Sequence, residues 1–456
     1  MKLFSPSMRF LMLLIVAGVY SCTPDDPKPV AKTVADYSGQ LAQQWNQWIV
    51  QADQNSTGFQ APVSARAFGY ISLAAYEAAA PGMDTYKSVA GNFPDLQLPA
   101  YDPTLEYHWP TVLNNCYLQA VTLFFPTMPD AQKALLIRQA NDRNVTFLDE
   151  GFSLLTFQRS KLFGEEVADA VFKFAETDAI GKEGYLKNTD PSYLAPVFPG
   201  SWQTTKPQFN PAILPTWGNA RALVISDADK ISDEPAPYSV DTESNYFAQM
   251  QELYNMSTSL TYEQQWMAEF WSDDILTMTF TPAARWVAVL NQQFDLTPRN
   301  LQETVYAYAM MGIALNDGGV ASSNSQYKYN VERPVTYISN QFDENWKTHL
   351  NNPLNGLKGI TPETPSYPSN HAVYASAAGE VLTDLFGTSV QFTDRCHMGR
   401  AEFIGTPRTF QSFQDMASEA AFSRMYEGVN TRQDCEAGIR MGTNIGQKVL
   451  AFGWRK

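Results

Sequence analysis

Apolar residues recur at helical spacing along most of the chain, and the strict alternation of a half-buried strand is weak everywhere. "VSARAFGYISLAAYEAAAPG" (Val63 to Gly82) predicts a buried helix stopped by Pro81-Gly82. "EQQWMAEFWSDDILTMTFTPAARWVAVLNQ" (Glu263 to Gln292) predicts one or two helices broken near Thr281-Pro282. "LQETVYAYAMMGIALNDGGVASSNSQYKYN" (Leu301 to Asn330) is apolar all round in its first half, as a central helix is. Loops such as "NTDPSYLAPVFPGSWQTTKPQFNPAILPTWG" (Asn188 to Gly218) are long and Pro-rich. The pattern predicts an all-α fold of helical bundles joined by such loops. A division near residue 260 separates an N-terminal helical region (34–260) from a C-terminal bundle (261–456).

The first 33 residues read differently. Lys2 and Arg9 precede the apolar run "FLMLLIVAGV", which is too short to span a bilayer, and "VYSC" follows. This resembles a bacterial lipoprotein signal (1–21), with Cys22 as the lipidated residue and 22–33 as a tether rich in Pro and charge. The alternative is an ordinary secretory signal with an incidental cysteine. The lipoprotein reading places the protein in the cell envelope of a Gram-negative bacterium, lipid-anchored to the outer membrane on its periplasmic or surface face. Membrane contact is then through the anchor alone.

Charge narrows the partners. The net charge of −15 argues against nucleic acid, because phosphate backbones need a basic face. Cys116, Cys396 and Cys435 have no metal-site spacing and allow at most one disulfide; buried free thiols are the other reading. No metal site is expected.

Three segments carry candidate chemistry. In "TPSYPSNHAVYASAAGEVLTDLFG", His371 is one of only four histidines and sits where a Pro-rich loop opens a helix of small residues. Ser369 or Asn370 is a good N-cap, and the free N–H groups of a helix start attract anions. In "YKYNVERPVTYI", Arg333-Pro334 ends a long buried helix. In "SFQDMASEAAFSRMYEGVNTRQDCEAGIRMG", Phe413, Ala417, Ala420 and Arg424 form one helical stripe. Arg424 on that stripe needs a carboxylate or a bound oxyanion as partner, because an unpaired buried charge costs roughly 3–5 kcal/mol. After Gly428 a new helix presents Cys435, Gly438, Gly442 and Ile445 on its inner face.

"ERP" (332–334), "PSNH" (368–371) and "SR" (423–424), in this order, resemble the motifs of the vanadium-dependent haloperoxidase and type 2 phosphatidic acid phosphatase superfamily. "RAFGYISLAAYE" (66–77) and "AEFWSDD" (268–274) are similar to its secreted helical branch. The resemblance implies a haloperoxidase-like helical fold and a pocket for phosphate, vanadate or a phosphorylated small molecule. Arg333, Arg424, the Ser369 hydroxyl and the Asn370 N–H would bind its oxygens. His371 would be the acid/base, and Asp434 would orient the third-motif histidine or an arginine.

Two positions depart from that pattern. The family's lysine falls at Gln326, and its essential histidine falls at Asn430. That histidine is the phosphatase nucleophile and the haloperoxidase ligand to vanadium; an amide does neither job. Asn430 followed by Gln433 reads instead as a capping-box-like helix start. Arg285 in "TPAARW" stands where relatives often have histidine. The resemblance therefore implies a superfamily scaffold with impaired catalysis and little or no vanadate. The alternatives are an active enzyme, oxidising halide with peroxide or cleaving phosphoesters, and a non-catalytic surface binding module.

Overall fold

The computed structural model describes residues 32–273, 275 and 278–456. The signal segment, the Cys22 lipidation position and Asp274 lie outside the described residues. Thirteen α-helices carry the described chain. The first five are α1 (Gln40–Asn55), α2 (Ala61–Ala79), α3 (Trp109–Phe124), α4 (Asp130–Leu148) and α5 (Leu154–Glu176). Then come α6 (Asn245–Ser257), α7 (Tyr262–Phe270), α8 (Pro282–Leu296), α9 (Leu301–Tyr329) and α10 (Pro334–Gln341). The last are α11 (Asn370–Phe386), α12 (Phe413–Tyr426) and α13 (Arg432–Leu450). Two antiparallel pairs of very short strands, β1 (Asn351–Asn352) with β2 (Leu357–Lys358) and β3 (Phe392–Asp394) with β4 (Arg408–Phe410), complete the chain. The fold is all-α, as the periodicity predicts.

The helix breaks have local causes. Thr281 caps α8 and Pro282 occupies its first turn, so the 263–292 stretch divides into α7 and α8. The central helix α9 is buried from Leu301 through almost every position to Gln326. Its polar members are satisfied in place: Asp317 accepts the N–H groups of Leu223, Val224 and Ile225 at 2.7, 2.7 and 3.0 Å. Asn330, in the left-handed region with φ 49°, terminates α9. Arg333 therefore does not end that helix; it is the N-cap residue of α10.

Residues Thr33–Lys456 form one compact unit, and one apolar core runs from Val34 to Trp454 across residue 260. Small residues set the closest helix pairs. On α13, a Cβ placed on Gly438, Gly442 or Gly446 would meet the main-chain oxygens of Ser369, Val373 and Ala377 at 2.5, 2.3 and 2.9 Å. This seats the start of α11 directly on α13. No helix among the described residues is long and apolar enough to cross a membrane. Cys116, Cys396 and Cys435 are free thiols.

Candidate functional site

The three motif segments meet where α9, α10, α11, α12 and the start of α13 converge. Ser369 is the N-cap of α11, its hydroxyl accepting from the Ala372 N–H at 3.4 Å. Asn370 Oδ1 accepts from the His371 N–H at 2.9 Å and lies 3.1 Å from His371 Nδ1. These two side chains take up donors that a bare helix start would leave open. The Asn370 N–H makes no protein hydrogen bond among the described residues.

His371 is buried, and burial, then Arg424 and Arg333, push its pKa well below the usual histidine range. The imidazole is therefore neutral at pH 7 and a weak base, because burial and two cations oppose its protonation. The charges of both arginines thus act on His371.

The two guanidiniums are held differently. Arg333 donates from Nε to the Thr364 carbonyl at 2.8 Å, from Nη2 to Thr364 Oγ1 at 2.8 Å and from Nη1 to the Val429 carbonyl at 2.9 Å. Burial lowers its pKa to about 9, against the opposing pull of Asp434. Arg424 forms a fully buried ion pair from Nη1 to Glu427 Oε2, one turn along. Its Nε has no hydrogen-bond acceptor among the described residues. The partner that the α12 stripe demands is thus a carboxylate, and Glu427 is the residue the sequence reading missed. Burial raises the Glu427 pKa to about 7 despite Arg424.

The two substituted positions are occupied by protein contacts. Gln326 Nε2 donates to the Pro368 carbonyl at 3.1 Å. Asn430 Nδ2 donates to the Ser366 carbonyl at 2.8 Å and lies 3.4 Å from Asp434 Oδ2. The capping role expected of Asn430 and Gln433 belongs to their neighbours. Thr431 is the N-cap of α13 and Asp434 closes the box, accepting the Thr431 N–H at 2.8 Å. The physical reason is where the helix begins: α13 starts at Arg432, so Thr431 is the cap and its third residue is Asp434, one step on from the Asn430/Gln433 pair. Gln433 instead accepts from the Ala236 N–H and Gln249 Nε2, both at 3.1 Å.

Asp434 also accepts from Ser366 Oγ at 2.6 Å, and burial raises its pKa. The acid assigned to orient a histidine here orients Asn430, Ser366 and the helix start. Neither Ser366 nor Thr364 carries a sequence signal, because each acts on a residue about thirty or more positions away.

A cavity of about 470 Å³ opens above this cluster, and Gln326, Asn370 and Thr364 are the members of the cluster that line it. Arg285, placed loosely against a family histidine, lies in a separate buried knot with Asp273, Asp394 and His397. No group of three or more His, Cys, Asp or Glu with metal-holding geometry occurs among the described residues.

Residues 306–455 match the family described as the VCPO second helical-bundle domain. No curated protein matches the chain. Among solved structures, the chain is similar to a bacterial vanadium-dependent iodoperoxidase at 26% identity and TM-score 0.79, over 92% of this chain and 97% of that one. It also shares its fold with a bacterial vanadium-dependent chloroperoxidase in holo form, at 14% identity and TM-score 0.65, over 88% and 95% of the two chains. The apo form gives 14% and 0.64, over 87% and 94%. The three motif segments thus lie in a fold similar to that of bacterial vanadium-dependent haloperoxidases, and residues 306–455 match their second helical-bundle domain.

Proposed function

We propose that this protein has lost the vanadium-centred reaction of its relatives and keeps a weak buried pocket for a small tetrahedral oxyanion such as phosphate. The observation that carries this is Asn430. At the position of the family's vanadium ligand, its Nδ2 is a donor already spent on the Ser366 carbonyl, and an amide nitrogen has no lone pair to offer. Gln326 removes a positive charge and is likewise tied down, to Pro368. The residues present therefore do not fit a vanadate centre, and no reaction step is derived through one.

Non-covalent oxyanion binding is a lesser demand. The charges of Arg333 and Arg424 act on His371, the Arg424 Nε is without an acceptor, and the Asn370 N–H is open. A buried anion would offset the desolvation that depresses Arg333. Glu427 and Asp434 compete with it, which keeps the affinity low.

Calorimetry with phosphate and with vanadate tests the reading. Weak phosphate binding should vanish in Arg424→Ala, and the parent should show no peroxide-dependent halide oxidation or phosphoester cleavage. The double change Gln326→Lys with Asn430→His should raise vanadate affinity and introduce turnover. Robust turnover by the parent would overturn the proposal.

A further inference from the structure

The cavity above the cluster has a lining that the oxyanion reading does not use. Eight of its 21 lining residues are asparagine or glutamine, contributed by separate parts of the chain. Gln208 and Asn210 come from the Pro-rich loop and Gln326 from α9. Asn352 and Asn355 come from the β1–β2 hairpin, and Asn370 from the start of α11.

Among the described residues no lysine, arginine or aromatic side chain lines the cavity, and its two carboxylates are Asp273 and Glu363. Both are committed. Asp273 pairs with Arg285 and His397, and Glu363 Oε1 accepts from Asn210 at 2.9 Å and Gln208 at 3.4 Å. The hairpin amides are half used: Asn352 and Asn355 each spend Oδ1 on a turn N–H, to Leu354 at 2.9 Å and Leu357 at 3.0 Å. Their Nδ2 groups make no hydrogen bond among the described residues.

We propose that this cavity binds an uncharged, polyhydroxylated ligand of the saccharide class. A carboxamide presents a donor and an acceptor side by side, which matches the donor–acceptor pairs of adjacent hydroxyls without any charge. An anion would meet carboxylates and no cation. An organic cation would find Asp273 already paired with Arg285 and Glu363 alone to meet it, and a purely apolar ligand would strip water from amides without replacing its hydrogen bonds. A hydroxylated neutral ligand meets none of these penalties. Without an aromatic face to stack on, the affinity lies in the millimolar range.

Saturation-transfer NMR on the purified protein tests this with a panel of neutral mono- and oligosaccharides of different linkages. Inorganic phosphate is titrated separately. At least one neutral saccharide should give transfer, and the double variant Asn210→Ala, Asn352→Ala should weaken it about tenfold or more at an unchanged melting temperature. The same variant should leave the phosphate response intact, whereas Arg424→Ala should abolish phosphate and spare the saccharide. No transfer from any member of the panel would overturn the site. So would transfer that survives the double variant, or transfer that phosphate displaces. If the double variant melts early, Asn355→Ala alone, on the exposed hairpin, replaces it with the same outcomes read.

Discussion

Two buried arginine–histidine clusters lie in this one fold, and they are built on opposite terms. In the first, Arg285 donates to Asp394 Oδ2 from Nη2 at 2.7 Å and from Nε at 3.1 Å, and to Asp273 at 3.3 Å, while Nη1 lies 2.6 Å from His397 Nε2. Burial opposes its charge, but Asp394 and Asp273 more than offset this and raise its pKa. Asp394 is in turn lowered, Arg285 together with the hydrogen bonds from Cys396 and Gln292 overriding burial. In the second, Arg333 is held by two carbonyls and a hydroxyl, and its pKa falls. The contrast separates two uses of a buried cation. Arg285 is closed in by carboxylates, whereas Arg333 is positioned by neutral dipoles.

The sharpest way to break the contrast is Arg285→Met. It strands two carboxylates that are 0–3% exposed, so chemical denaturation should show a loss of roughly 3–5 kcal/mol. Arg333→Met loses only hydrogen bonds to neutral acceptors and should cost about 1–3 kcal/mol. Equal losses would mean that both clusters are structural.

The pH axis gives a second, intermediate test at Glu427. Its folded pKa is raised from 4.5 to about 7 by burial, so the folded state holds its proton more tightly than the unfolded state. Stability from this group is complete below pH 4.5 and is lost as pH rises through about 7. Relative to Glu427→Gln, the wild-type unfolding free energy should decline across that window and level off above it. A flat difference curve would mean that Arg424 offsets the burial of Glu427 in full.

The smallest effect is expected at the start of α13. Thr431→Ala removes the cap and should cost about 1 kcal/mol, seen as a small fall in Tm. Asn430→Ala leaves the cap intact but takes the donor from the buried Ser366 carbonyl, so its loss should add to that of Thr431→Ala. A loss that does not add would restore Asn430 as part of the cap.

What was legible in the sequence follows from how local the cause is. Thr281-Pro282, the apolar stripe of α9 and the Ser369 cap each act within a few residues, and periodicity or turn chemistry reveals them. Arg333, His371 and Arg424 stand in spaced motifs, and all three are buried. What stayed hidden works at long range: Thr364 and Val429 holding Arg333, Ser366 holding Asn430, and Asp273 with Asp394 closing on Arg285. Asn430 was misread because a cap and its neighbour differ by a single step, and only the backbone shows which residue has left the helix.

The glycine face of α13 carries one more lesson, about what sequence change can and cannot reach. A clash with a neighbouring side chain is relieved by trimming that neighbour. A clash with main-chain oxygen has no such remedy, because every residue carries one. At Gly438 and Gly442 the nearest obstacle to a larger residue is main chain, the Ser369 carbonyl that caps α11 and the Val373 carbonyl within it. The spacing of these two helices is thus inherited as a unit, and any change at the site is channelled into the side chains hung upon it. Gln326, Asn370 and Asn430 are side chains of that kind.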